Sequence, residues 1–254
     1  MSDLSEISKN KNGEGSMSRN AIKYLAMAAM FCNHFAYIFL KEGSTGQEVM
    51  VDIGYFTAIT MCYFLVEGYH YTRSVKNYAL RLLVFGILSQ IPFMLALKQT
   101  NLNMMFSLLL CLGVVWVTDH VKHKGEKMLW LCVLVICSIW TDWALLAPVF
   151  TMLFANAYGD RKKVTLAYGK AAGLFLLLNV LSYAKDYGPG MNIIHSVCAC
   201  IGLLMSGFII QCVYDKEKKR KVYGWEKWFF YGFYPVHLLV LWLIRFAKVY
   251  IGRL

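Results

Sequence analysis

Apolar residues arrive along this chain in long blocks rather than in stripes. Blocks at Ala21–Leu40, Tyr55–Tyr71, Tyr78–Leu97, Leu102–Thr118, Met128–Trp140, Ala144–Tyr158, Val164–Tyr183, Met191–Val213 and Trp228–Phe246 are separated by short polar connections. Most approach the roughly 20 residues that a helix needs to cross a hydrocarbon core about 30 Å thick. The pattern predicts an all-α fold, a polytopic transmembrane helical bundle of about eight or nine spans. The fifth and sixth blocks are short, since about fourteen residues rise only some 20 Å. They pair as tilted spans or as a re-entrant hairpin around Thr141, Asp142 and Trp143, which makes the alternative count seven spans plus a hairpin.

Charge orients the bundle. Lys and Arg number 26 against 15 Asp and Glu, a net charge of +11. The positive residues fall on alternate connections: Lys9, Lys11, Arg19 and Lys23; Arg73, Lys76 and Arg81; Lys122, Lys124 and Lys127; Arg161, Lys162 and Lys163; Lys216, Lys218, Lys219, Arg220, Lys221 and Lys227. The positive-inside rule puts these connections, and the N-terminus, in the cytoplasm. Glu42, Glu48 and Asp52, then Lys98, then Asp142, then Lys185 with Asp186 face out; Arg245, Lys248 and Arg253 fall there too, against the rule. The basic collar reads as attraction to lipid headgroups, with no soluble basic domain to bind nucleic acid. It also draws an anionic cosubstrate to that face. Residues 1–19 form a tail too polar to fold, expected to be disordered and without a stretch resembling a cleavable signal, ahead of one membrane domain over 20–250.

Eight cysteines lie inside the apolar blocks and act as small apolar residues. Cys198 and Cys200 lack the spacing of a redox or zinc pair, and no metal is expected. No phosphate-binding glycine loop, zincin helix or nucleophile elbow is present.

The chemistry sits in polar residues within the blocks. Lys23 and His34 are eleven positions apart, so they share a helix face about 16 Å apart along the axis. His34 is placed to serve as a general base for an amine or hydroxyl, and Lys23 to hold a cosubstrate phosphate. The bland alternative is an interhelical histidine and a snorkelling lysine. Glu67, His70 or Tyr71, and Ser74 follow at helical spacing, with Arg73 at their cytoplasmic end. A carboxylate beside an imidazole fixes its tautomer and raises its basicity, as proton transfer requires; the alternative is an interhelical hydrogen-bond network. Arg81, Gln90 near Pro92, Asn103, Asp142, and Tyr234 with Pro235 and His237 add to one polar interior.

Taken in order, Asn20-Ala-Ile-Lys23, Asn33-His34, Phe64-Leu-Val-Glu67-Gly-Tyr69-His70-Tyr-Thr-Arg73, Tyr78, Arg81, Ser89-Gln90-Ile-Pro92-Phe93, Asn103, Asp142 and Tyr234-Pro235-Val-His237 resemble the TraX family. The resemblance covers nearly the whole chain. It implies a bacterial multi-pass inner-membrane protein similar to the conjugative-pilin acetylation protein and to the wider integral-membrane acyltransferases. The implied activity is an acetyltransferase that moves an acetyl group from cytoplasmic acetyl-CoA to an amine or hydroxyl acceptor, a pilin-like N-terminus or an envelope glycan. His34, Glu67, His70 and His237 would be catalytic, and Lys23, Arg73 and Arg81 would bind acetyl-CoA. Asn33, Tyr69, Gln90, Asn103, Asp142 and Tyr234 would line the substrate pocket. Asn33, Gln90 and Met94 stand where the family pattern has carboxylates. A transporter or a non-enzymatic scaffold is the alternative; against transport, the Glu67–His70 cluster has no counterpart in the second half.

Overall fold

The computed structural model describes residues 16–184, 188–218 and 224–251. Nine α-helices lie among the described residues, one for each apolar block: α1 (Arg19–Phe39), α2 (Thr45–Tyr71), α3 (Val75–Leu97), α4 (Met104–His120), α5 (Lys124–Cys137), α6 (Leu146–Ala157), α7 (Arg161–Tyr183), α8 (Pro189–Phe208) and α9 (Gly224–Ile251). A π turn, Ile209–Val213, extends α8. By length and composition, five helices are apolar enough to cross a membrane: α2, α3, α7, α8 with its π turn, and α9. The apolar helices α4 and α6 are shorter, at 17 and 12 residues.

Caps explain where the boundaries move. α2 begins at Thr45 rather than Tyr55 because Ser44 accepts the Gln47 N–H, which carries the polar stretch with Glu48 and Asp52 into the helix. The fifth and sixth blocks become α5 and α6, joined by a 3₁₀ turn at Ser138–Trp140 and a tight turn in which Trp143 and Leu145 hold φ of 57° and 62°. Left-handed backbone at two bulky residues costs about 1–3 kcal/mol each, so the surrounding contacts over-determine this turn.

α2 is the central post, packed against α1, α4, α6 and α8. Two glycines set its closest approaches. A Cβ on Gly54 would stand 2.3 Å from that of Asn33, and one on Gly202 would stand 2.4 Å from the Asp52 carbonyl oxygen. Small residues at crossings let backbones meet, and short hydrogen bonds then join the helices. Thr57 donates to the Ala26 carbonyl at 2.7 Å, and the Thr60 and Ser206 hydroxyls meet at 2.7 Å. Ile87 and Ile91 on α3 and Ile201 and Leu204 on α8 point away from the core, a lipid-facing pattern.

Of the tail 1–19 expected to be disordered, residues 1–15 lie outside the described residues, as do Lys185, Asp186, Lys219, Arg220, Lys221 and Arg253, whereas residues 16–19 are ordered and Arg19 already opens α1. Met17 pairs its backbone with Val213 and Asp215, tying the start of α1 to the end of α8.

Candidate functional site

Arg19, Lys23, Met27, Met30, His34 and Tyr37 recur along α1 at intervals of three or four residues and face one cavity of about 540 Å³. From Arg19 to Tyr37 that face rises about 27 Å at 1.5 Å per residue. Helices α2, α3, α9 and the start of α4 close the other sides.

One end is basic. Arg19, Lys23, Arg81 and Lys227 line it together with a single carboxylate, Glu226. Glu226 is fully buried and accepts from Asn20 Nδ2 at 3.0 Å and from the Tyr24 hydroxyl at 3.5 Å. The Lys23 ammonium lies 5.0 Å over the Phe230 ring, and the Arg81 guanidinium lies 5.5 and 5.9 Å from the rings of Tyr78 and Tyr231. Arg81 Nε is buried with no hydrogen-bond partner among the described residues. An orphaned donor amid cations is unfavourable alone and suits an anionic ligand that accepts hydrogen bonds. Beyond it the lining turns apolar, with Met27, Met30, Ala58, Met61 and Leu65.

Past these methionines, His34 meets His237 of α9, with Nδ1 of the former 2.7 Å from Nε2 of the latter. His237 Nδ1 in turn donates to the Phe233 carbonyl at 2.7 Å. Tyr234 lines the cavity beside them, its ring 6.1 Å from that of His34, and its hydroxyl accepts the Met104 N–H at 3.4 Å. The far end carries Tyr37, Tyr55, Asp142 and Trp143. The Asp142 carboxylate accepts the Trp143 N–H at 3.1 Å, and its own N–H donates to the Leu102 carbonyl at 2.7 Å. Ser107 donates to the Asp142 carbonyl. Burial pushes the Asp142 carboxyl up to about 6, partly offset by the Trp143 N–H.

Of the residues read from the sequence, Lys23, Asn33, His34, Arg81, Asp142 and Tyr234 face this cavity, and His237 stands directly behind His34. The others are placed elsewhere. Glu67 is fully buried, with both oxygens held by the Tyr214 hydroxyl at 3.0 and 2.9 Å, Arg19 Nε at 3.2 Å and Lys216 Nζ at 4.0 Å. The pairing expected between Glu67 and His70 does not form: His70 is exposed and stacks on Tyr158 with ring centroids 4.0 Å apart. Tyr69 donates to Asp119 at 2.9 Å, joining the ends of α2 and α4. Arg73 is exposed beyond α2. Gln90 and Asn103 bind one another at 2.9 Å; Asn103 also donates to the Gly86 carbonyl and caps α4 through the Met105 N–H. Both are joints between α3 and α4 rather than lining.

Arg19, Glu226, Tyr37, Tyr55 and Trp143 are lining residues that the sequence reading passed over as site residues. Arg19 and Glu226 sit among collar charges, where the topology rule already accounts for them. The α1 spacing 19, 23, 27, 30, 34, 37 was the available signal, because it extends the Lys23–His34 face in both directions.

The chain matches the TraX protein family over residues 18–245. It is 32% identical over 245 residues to the "Probable fimbrial assembly protein FimC, serogroup H1" of Dichelobacter nodosus, covering 89% of this chain and 97% of that one. No solved structure matches.

Proposed function

The chain belongs to the TraX protein family, and from that membership we propose that it is an integral-membrane acetyltransferase drawing on cytoplasmic acetyl-CoA. The carrying observation is His34, backed by His237, facing a cavity whose one end gathers Arg19, Lys23, Arg81 and Lys227. In this reading the basic end faces the cytoplasm and receives the phosphates of acetyl-CoA, with the orphaned Arg81 Nε as one donor. The acetyl thioester reaches past the apolar methionine lining to His34. There the acceptor nitrogen or oxygen attacks the carbonyl carbon while His34 takes its proton. The Tyr234 hydroxyl supports the charge that builds on the carbonyl oxygen. The carbon–sulfur bond breaks, the CoA sulfur leaves with the proton held by His34, and the acceptor carries the acetyl group.

The acceptor enters from the end with Tyr37, Tyr55, Asp142 and Trp143. The similarity to a probable fimbrial assembly protein of Dichelobacter nodosus supports a fimbrial subunit as that acceptor. We place the protein in the bacterial inner membrane with its N-terminus cytoplasmic, and α1 and the shorter helices complete a bundle of eight or nine spans.

A transporter would use the same lengthwise cavity. Purified protein in proteoliposomes, given acetyl-CoA and a peptide with a free N-terminal amine, separates the two. The enzyme releases free CoA thiol and adds one acetyl group to the peptide, and His34→Ala abolishes both. Solute uptake without thiol release would replace this reading with transport.

A further inference from the structure

We propose that His237 is a positioning residue that locks His34 in the tautomer protonated on Nδ1, so that Nε2 is the nitrogen that takes the acceptor's proton. The proposal rests on the acetyl-transfer reading above for its consequence and on geometry alone for the tautomer.

A backbone carbonyl can only accept, so the 2.7 Å contact between His237 Nδ1 and the Phe233 oxygen fixes a proton on His237 Nδ1. In a neutral His237 the other nitrogen, Nε2, is then a bare lone pair. That lone pair lies 2.7 Å from His34 Nδ1, and a contact this short between two imidazole nitrogens requires one proton between them. His34 supplies it from Nδ1, which leaves its own Nε2 unprotonated. The rings make the same point. Their planes differ by 11° and their centroids are 5.0 Å apart, as expected when two imidazoles meet edge to edge and the hydrogen bond lies in both ring planes. Phe233 backs His237 from the other side, its ring 4.6 Å away and 10° from parallel. Both histidines are more than nine-tenths buried, so the chain of carbonyl, His237 and His34 competes with little water.

The arrangement has the logic of a base oriented by a second acceptor, with an imidazole and a carbonyl in place of a carboxylate. It stores no charge. The sequence places these groups on the first and last helices, so the lock also requires α1 and α9 to stay in register.

The test is nitrogen NMR of the full-length protein in detergent with ¹⁵N-labelled histidine, assigned by His34→Gln and His237→Gln. The expected result is a His34 with protonated Nδ1 and unprotonated Nε2; a His34 protonated on Nε2 overturns the proposal. Kinetics supply the second measurement. His237→Leu should lower kcat by about 10²–10⁴-fold, on the scale seen when an orienting partner leaves a histidine in the wrong tautomer, with KM for acetyl-CoA within about twofold of wild type. His237→Gln can accept the same hydrogen bond through its carbonyl oxygen and should recover most of the loss. Equal losses in both variants would assign His237 a packing role and overturn the proposal. If no acetyl transfer occurs in any variant, the acetyl-transfer reading fails while the NMR still decides the tautomer.

Discussion

Arg81 and Tyr231 lie on different helices, α3 and α9, with the guanidinium 5.9 Å from the ring centroid, and Tyr231 and Tyr78 together hold an arginine whose Nε has no acceptor among the described residues. The Tyr231 side chain takes one hydrogen bond from the guanidinium, and Nε is the donor left for a ligand.

Arg81→Gln should therefore raise KM for acetyl-CoA about tenfold, the loss of one charge-assisted hydrogen bond, with kcat little changed. Arg73→Gln, at an exposed position outside the cavity, should leave both constants unchanged. Steady-state kinetics at two salt concentrations checks this; an equal effect from the two variants would mean that the collar acts only as a diffuse field.

Tyr234→Phe removes one hydroxyl from a buried ring and also removes the acceptor of the Met104 N–H. The expected loss is about 10²-fold in kcat, near the lower bound for one donor to a developing oxyanion. A Tm within a few degrees of wild type would separate this from unfolding, and undiminished kcat would remove Tyr234 from the chemistry.

Glu67→Ala strands Arg19 beside the emptied site, since the Glu67 carboxylate binds Arg19 at 3.2 Å and Tyr214 at 3.0 and 2.9 Å. Breaking a fully buried pair typically costs about 3–5 kcal/mol, and the partial exposure of Arg19 with its remaining bond to the Phe64 carbonyl puts this loss near the low end of that range. His70→Ala, at a surface stack, should cost about 0.5 kcal/mol or less. Thermal unfolding of the two variants in detergent compares them; equal shifts would refute the assignment of Glu67 as an anchor.

Asp142 should make stability depend on pH. Its carboxyl is raised to about 6 by burial, above its ordinary value of 3.8, so folding favours the protonated form. Its stabilising contribution is complete below about pH 4 and is lost as pH rises through 6, by about 1–3 kcal/mol. The difference in Tm between wild type and Asp142→Asn should therefore widen against wild type between pH 4.5 and pH 7.5. A constant difference would contradict the burial argument.

The helices were legible because lipid imposes a block length that single residues cannot disguise, and every described helix corresponds to one apolar block. The start of α2 was not, because its first turns are polar and only the Ser44 cap marks them. The Lys23–His34 face was legible because both residues lie on one helix and periodicity fixes their relation. Glu67 and His70 were misjudged for the complementary reason. Spacing shows that two residues are neighbours on a helix, but not which of them turns inward, and here Glu67 does while His70 faces out. The meeting of His34 with His237 spans 203 positions and depends on how the last helix packs against the first.

The apolar methionine lining has an electrical consequence. Met27, Met30 and Met61 carry no charge and no strong hydrogen-bonding group, so they insulate the basic end of the cavity from the histidines and Asp142 beyond. In an energised membrane each charge is worth about 2.3 kcal/mol per 100 mV, so moving a charge between the two ends of the cavity depends on the membrane potential. An uncharged stretch opposes the passage of protons between the two ends. Met27→Ser combined with Met30→Ser should wet the segment and collapse a proton gradient in sealed vesicles faster than the wild-type chain does.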